Sequence, residues 1–518
     1  MVVKFVQCDV EPFGPDDGSA APEVPQHLLA RHGARVLNPI EAVVAPTEPT
    51  PRSTAYRIGT ILVPQDVARD RDKVTRINKV LAEQLNLELV DAEKEHCVKG
   101  PRPVAVRTRK DAGTPVKVDG WQCLQVLRAH DATKDFAGDL SVEHLLFGTV
   151  DIGGTPWEAS GAPTGGGYVR TGTTGRIPVA LFTPPPPRQD LDRRPVIAIL
   201  DTGIGPNDWF DLPDRENPPA PDGFLQVFPE VQDAIRTQEE TTADITPTQV
   251  LRDYWDAPVT DNPLVGEVDK DTGHGTFIAG IIRQVAPDAN VLSIRVLHSD
   301  GVAYEGDVLL ALWRLVERVE NAQNGGDPED MVDVVSLSLG YFDETADPQG
   351  FTGHLVEVID RLRELGVLVV AAAGNDATTR RFYPAALAER PENGLGAQVL
   401  SVGALNPNTT KAVFSNEAPW VRSWATGAAV VSTFPKDVQG SVTADLEPAA
   451  DRASLDADDY RAGFAVWDGT SFAAPLAAAE ITAALIRVAR KDPSLGLKAV
   501  DRTTAAQRVR MALQEADG

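Results

Sequence analysis

The sequence predicts an α/β protein with a doubly wound, mainly parallel sheet and a smaller N-terminal α+β domain. Near-continuous runs of Val, Ile and Leu, typical of parallel strands buried on both faces, occur at 196–200, 291–297, 332–339, 367–373 and 399–402. Segments 307–319 and 354–365 lie between such runs and carry the apolar stripe of a helix. This alternation favours a doubly wound sheet, in which functional residues collect at the carboxyl ends of the strands.

Residues 51–150 show a different pattern, which predicts a small α+β domain. Its segments follow the order strand, helix, strand, strand, helix and strand. The predicted strands are 54–64, 87–90, 103–108 and 144–150. The first helix, between 54–64 and 87–90, has Val74, Ile77, Leu81 and Leu85 on one face, and the second, between 103–108 and 144–150, is capped by Asp119. This order is compatible with a ferredoxin-like fold.

Two segments without clear periodicity flank this domain. Residues 1–50, rich in Pro, Asp and Glu, are predicted to form an extended or partly ordered arm. Residues 151–190 are rich in Gly and Pro and contain four consecutive prolines at 184–187, which favours a linker with a stiff polyproline II section. The α/β domain is therefore assigned to residues 191–518.

Composition narrows the partners and the compartment. The 518 residues include 49 Lys and Arg against 75 Asp and Glu, a net charge of −26, and such a surface repels phosphate backbones and disfavours nucleic acid. Cys8, Cys97 and Cys123 form no metal or redox motif, and an odd count argues against a disulfide framework. We find neither a secretory signal pattern nor an apolar stretch of about 20 residues, so we expect a cytoplasmic protein without a membrane span.

Four polar residues lie at strand ends or helix starts, where such a sheet concentrates its chemistry. Asp201 and Asn375 each follow an apolar run, His274 stands between glycines, and Ser471 opens a helix of small residues. Each also fits a structural role, as a turn residue, a hydrogen-bonded core histidine or a helix cap. Together, they supply a nucleophile, a base, an orienting carboxylate and an oxyanion donor.

Five motifs resemble the subtilisin-like serine peptidase (subtilase) family. They are DTGIG around Asp201, HGTFIAGII around His274, SLSLG at 336–340, AAAGN at 371–375 and GTSFAAP at 469–475. The resemblance covers about residues 190–490, and the order of the four polar residues along the chain is that of the family. It implies a subtilisin-like fold and a serine endopeptidase that acts on protein or peptide substrates.

The resemblance implies a role for each matching residue. Ser471 attacks the peptide carbonyl, His274 transfers the proton, and Asp201 fixes the histidine tautomer. Asn375 and the backbone N–H of Ser471 form the oxyanion hole.

The resemblance also assigns residues to substrate binding. The main chain of Ser338, Leu339 and Gly340 pairs with an extended substrate. A wall of the first specificity pocket is assigned to Ala372, Ala373 and Gly374.

Two insertions and the N-terminal domain depart from the family pattern. The polar segment 206–268 predicts a surface insertion beside the cleft. The acidic segment 436–463 is either a solvated loop, a calcium site or a cover of the active site, so structural calcium stays open and no metal ligand is assigned. The N-terminal domain is a propeptide, an uncleaved regulator that binds the catalytic domain, or a module for another partner. The alternative for the whole chain is a catalytically silent scaffold on the same fold.

Overall fold

The computed structural model describes residues 24–46, 48–90, 99–148, 176–262, 267–345, 353–390, 396–441 and 457–517. Cys8 and Cys97 lie outside these ranges, whereas Cys123 is a buried free thiol. Burial raises the pKa of the Cys123 thiol to about 12, which makes it an unreactive core residue.

The N-terminal domain has the strand order that defines a ferredoxin-like sheet. Its elements are α1 (Gln26–Arg31), β1 (Ala34–Val36), β2 (Ala55–Val63), α2 (Gln65–Arg69), α3 (Arg71–Leu85), β3 (Leu87–Leu89), β4 (Arg102–Thr108), α4 (Gly120–Ala129) and β5 (Ser141–Gly148). The antiparallel order is β5-β2-β4-β3. Helix α3 begins where the Asp70 carboxylate accepts from two backbone N–H groups, and it buries its apolar stripe against α4 and the sheet.

Two details of the N-terminal prediction need correction. Over its described part, the predicted arm contains α1 and β1, and β1 pairs antiparallel with β2. Asp119 does not cap α4 through its side chain, because its carboxylate accepts from Arg35 and Tyr56 instead.

The C-terminal domain is built on a parallel sheet, as predicted. Its elements are β6 (Ile177–Pro178), β7 (Val196–Asp201), β8 (Leu225–Val227), α5 (Pro229–Ala243), β9 (Thr260–Asn262), β10 (Glu267–Val268), α6 (His274–Val285), β11 (Asn290–Arg295), β12 (Val302–Tyr304), α7 (Glu305–Gln323), β13 (Val334–Leu337), β14 (Leu339–Gly340), α8 (His354–Glu364), β15 (Leu368–Ala372), β16 (Leu400–Leu405), β17 (Ser423–Thr426), β18 (Val430–Thr433), β19 (Gln439–Ser441), β20 (Ala457–Asp459), β21 (Phe464–Trp467), α9 (Thr470–Lys491) and α10 (Arg502–Asp517).

Seven strands form the main sheet in the order β17-β16-β15-β13-β7-β11-β8, and all their pairings are parallel. Helices α6 and α9 share one apolar core with the sheet, and α7 and α8 share the other. Helices on both faces explain why the strands are apolar throughout, since neither face meets water.

Strand β5 joins the two domains through main-chain pairing. It pairs antiparallel with β12 and with β14, both of which belong to the C-terminal domain. The predicted surface insertion also lies at this boundary: it contains α5, and its Thr248 accepts a hydrogen bond from Arg57 of β2. The insertion therefore contacts the N-terminal domain at this point.

Helix α9 is the exception to the prediction that no apolar stretch approaches membrane length. Its 22 residues, Thr470–Lys491, are long and apolar enough to cross a membrane by length and composition. Most of its apolar window, 78%, is buried inside the protein, where it packs against α6 and the sheet. The helix is thus the core helix of this domain, and its small residues allow the close packing.

Candidate active site

The carboxyl edge of the parallel sheet brings Asp201 and His274 together. Asp201 is the last residue of β7, and His274 is the first of α6. The His274 Nδ1 lies 2.7 Å from the Asp201 Oδ1, and both side chains are buried. Among the described residues, the His274 Nε2 has no hydrogen-bond partner although it is buried. The geometry therefore fixes one ring nitrogen on the carboxylate and leaves the other available for proton transfer.

Residues that the sequence analysis missed hold this pair in place. The Thr202 hydroxyl donates to the Asp256 carboxylate (3.1 Å) and accepts from the Gly275 N–H (3.1 Å). The Asp256 carboxylate also accepts a hydrogen bond from the backbone N–H of Gly273, the residue before His274 (2.6 Å). A Cβ on Gly275 would lie 2.1 Å from a backbone carbonyl oxygen, so only glycine lets α6 begin this close to the strand end. Asp256 lies in the insertion and has no local signal in the sequence.

Ser471 is the second residue of α9 and is fully buried. Its carbonyl oxygen accepts a hydrogen bond from the Ser338 hydroxyl (2.9 Å), which joins the start of α9 to the segment after β13. The ring of the next residue, Phe472, lies 5.2 Å from the His274 ring between centroids. The residue after Ser471 thus packs against His274, and both helices begin at this edge of the sheet, where the positive end of a helix dipole favours negative charge.

Asn375 is oriented by the residue before the serine. Its Oδ1 accepts from the Thr470 N–H (2.9 Å) and from the Thr470 hydroxyl (2.8 Å). Because the carbonyl oxygen is held there, the amide nitrogen is the end that can donate to an oxyanion. The Thr470 hydroxyl also accepts a hydrogen bond from the Gly374 N–H (3.1 Å). Thr470 therefore holds both Asn375, the predicted oxyanion donor, and Gly374, part of the predicted pocket wall.

The predicted substrate-binding segments are buried, and one of them is already paired. Leu339 pairs with Gly148 and Gly340 with Phe147 of β5. On the pocket side, Ala372 and Ala373 have no exposed surface. The segment assigned to an extended substrate is therefore in contact with the end of the chain's own N-terminal domain.

The charges around His274 favour its protonated form more than water does. Burial alone would lower the pKa of His274, but the attraction of Asp201 and its hydrogen bond outweigh burial and raise that pKa above its usual value. Burial raises the pKa of the Asp256 carboxyl as well. A carboxylate that stabilises the imidazolium is what a general base needs when it accepts a proton.

The described residues contain one set spaced to hold a metal ion, and it lies at the domain boundary. Ligand atoms of His144, Asp343 and Glu344 lie within 4.8 Å of one another. Both ring nitrogens already face carboxylates, Glu305 at 2.6 Å and Glu344 at 2.7 Å, so the set forms an ion-pair network here. Most of the acidic insertion 436–463 lies outside the described residues, and calcium there stays a prediction.

Comparison with known proteins identifies the family. A parallel α/β sheet with a buried Asp–His pair beside a helix-borne serine is typical of the serine hydrolases. The sequence profile of the Subtilase family matches residues 192–517, and this chain belongs to that family. The family assignment supports a serine peptidase, as the motifs predicted.

Individual relatives match part of the chain. Subtilisin DY from Bacillus licheniformis is 30% identical over 183 residues, which cover 33% of this chain and 57% of that protein. The extracellular basic protease of Dichelobacter nodosus is 27% identical over 292 residues, 54% of this chain and 41% of that protein. The intracellular serine protease of Paenibacillus polymyxa is 29% identical over 184 residues, which cover 33% of this chain and 48% of that protein. The matches span about half the length of these relatives.

Proposed function

We propose that this chain is a serine endopeptidase whose triad is Ser471, His274 and Asp201. The observation that carries the proposal is the buried Asp201–His274 hydrogen bond of 2.7 Å, together with an Nε2 atom that has no partner among the described residues. A histidine held only structurally would be expected to use both nitrogens. Membership of the Subtilase family supports the same conclusion.

The proposed reaction is acyl transfer to the serine followed by hydrolysis. The Ser471 Oγ attacks the carbonyl carbon while its proton passes to the His274 Nε2, and Asp201 stabilises the imidazolium through Nδ1. The negative charge that develops on the carbonyl oxygen is stabilised by the Asn375 amide and by the backbone N–H of Ser471. His274 then protonates the leaving amine, and a water molecule releases the acyl group by the same steps in reverse.

We further propose that the N-terminal domain keeps the cleft closed in the full chain. Support comes from β5, whose Phe147 and Gly148 pair with the segment that the family resemblance assigns to substrate. On its other edge, β5 pairs with β12. A peptide substrate that adds as a strand would need these hydrogen-bonding positions, so it competes with β5.

A fluorophosphonate probe tests the catalytic part. It should label the native chain and fail to label Ser471→Ala, whereas the exposed Ser494→Ala serves as the matched control and labels normally. Loss of the nucleophile should lower turnover by about 10⁶, the loss known for subtilisin itself. Absence of labelling, even after the N-terminal domain is displaced, would favour the alternative of a catalytically silent scaffold.

A further inference from the structure

A buried carboxylate lies beside the strand that occupies the cleft. Asp271 stands three residues before His274, and its carbonyl oxygen accepts the His274 N–H (3.0 Å). The residue is only 2% exposed, and its Oδ1 has no hydrogen-bond partner in the part of the chain that the structure describes. A buried ionisable oxygen without a donor is costly, so its retention calls for a ligand or a structural reason.

Two glycines make room for this carboxylate. The Gly148 N–H donates to the Gly301 carbonyl oxygen (2.8 Å), so the two main chains lie side by side. A Cβ on Gly301, whose φ is +83°, would lie 1.9 Å from the Asp271 Oδ2, and a Cβ on Gly148 would lie 2.7 Å from the same atom. The side chain of any residue at the Gly148 position therefore points at Asp271. The carboxylate is the movable end of a side chain, so a small rotation admits that residue.

We propose that Asp271 selects substrates whose residue at the Gly148 position carries a hydrogen-bond donor, above all a cationic lysine or arginine. The inference rests on the proposed function, in which a substrate strand takes the place of β5. Gly148 itself offers no side-chain donor, so the resident strand supplies none to the Asp271 Oδ1. A lysine or arginine would supply both donors and opposite charge in a site with little water, where such bonds are strongest.

The surroundings of Asp271 fit this assignment. Burial raises the pKa of its carboxyl to about 7, the nearby His274 lowers it, and the negative charge of Asp201 raises it. A cationic side chain would stabilise the ionised form and remove most of that burial penalty. The competing explanation is that Asp271 only shapes the loop before His274, in which case the identity of residue 148 would not matter.

Hydrogen exchange of the full chain tests the inference without relying on catalysis. In a Ser471→Ala background, Gly148→Lys is compared with Gly148→Met, which has similar length and no charge. Protection of the backbone amides in β5, β12 and β14 should be about tenfold higher with lysine. In the Asp271→Asn background the two variants should differ by less than about twofold.

A second pair of variants with shorter side chains keeps the test valid if lysine and methionine are too long to fit at position 148. Gly148→Ser should protect the same amides better than Gly148→Ala, again only while Asp271 is present. The proposal is overturned if neither donor variant exceeds its matched control, or if the differences persist unchanged in Asp271→Asn. Fluorophosphonate labelling of Ser471 in the original chain reports separately on catalysis, so failure of the proposed function is distinguishable from failure of this subsite.

Discussion

Replacement of His144 by leucine should open the cleft, because this charged side chain on β5 contacts two carboxylates of the catalytic domain. His144 lies three residues before Phe147, the residue that pairs with the substrate-binding segment. Its Nδ1 lies 2.6 Å from Glu305, the first residue of α7, and its Nε2 lies 2.7 Å from Glu344. The residue is only 3% exposed. It is therefore a buried cation shared by two carboxylates across the domain boundary.

The magnitude follows from what His144→Leu leaves behind. Removal of one partner from a buried ion pair costs about 3–5 kcal/mol, because the remaining charge stays buried without compensation. In the open state Glu305 and Glu344 regain water, so the cost falls on the closed state alone. At about 1.4 kcal/mol per factor of ten, the open fraction should rise by a factor of about 10² to about 4 × 10³.

The assay is the rate at which a fluorophosphonate probe labels Ser471 in the full chain. If opening limits access, His144→Leu should speed labelling by the same factor, while the exposed His27→Leu on α1 should leave the rate unchanged. A rate within about twofold of the original for His144→Leu, with the protein still folded, would refute the reasoning. The ion pair would then contribute nothing to closure.

The same contact predicts a pH dependence with a defined sign. Burial alone would lower the pKa of His144, but Glu305 and Glu344 together raise it well above 6.5. The stabilisation that His144 gives to the closed state is therefore complete below about pH 6.5 and is lost as the pH rises through the raised pKa. Burial and the charge of Glu344 raise the pKa of Asp343 to about 7, so Asp343 adds negative charge to this cluster as the pH rises through about 7. The ratio of labelling rates, His144→Gln over the original chain, should fall towards one as the pH rises, since the ratio cancels the pH dependence of the chemistry.

Further predictions concern the catalytic groups and the boundary. In the open variant, Asn375→Ala should lower kcat about 10²–10³-fold with little change in KM, measured with a peptide substrate. Asp201→Asn should lower kcat about 10⁴-fold and leave the thermal unfolding midpoint near its original value. Gly301→Ala should destabilise the chain by about 1–2 kcal/mol or more in denaturant unfolding, since its φ of +83° is strained for alanine. Burial lowers the pKa of His32 to about 4, so acid should weaken closure between pH 6.5 and 4, and His32→Gln should remove that dependence in hydrogen exchange.

The sequence was sufficient to predict the features that depend on local pattern. The runs at 196–200 and 367–373 became central parallel strands because their residues are apolar on both faces. Asp201 and His274 could be placed at the same edge since each adjoins a strand end or helix start with glycine beside it. Asp256, which supports this pair, could not be predicted, because it lies in an insertion and its contacts are with the backbone N–H of Gly273 and the hydroxyl of Thr202.

The pairing of the two domains has no comparable signal. Strand β5 joins β12, three residues long, and β14, two residues long, and such short segments show no periodicity. Their association rests on backbone N–H and C=O groups, which every residue but proline carries alike. Contact between the N-terminal domain and the catalytic domain was therefore one of three alternatives open from the sequence and the family resemblance, and the register of the contact is seen only in the structure.

The character of this boundary argues for conditional rather than permanent closure. Its apolar part is a small cluster that includes Leu145, Phe147 and Val302. Around it lie buried polar contacts across the domains: His32 with Asp300 at 2.8 Å, His144 with its two carboxylates, and Arg57 over the Tyr304 ring at 4.1 Å. Polar contacts of this kind stabilise closure only while every partner keeps its charge state. Because His32 must stay neutral and His144 charged, opposite changes of pH weaken different contacts, and closure should be tightest near neutral pH.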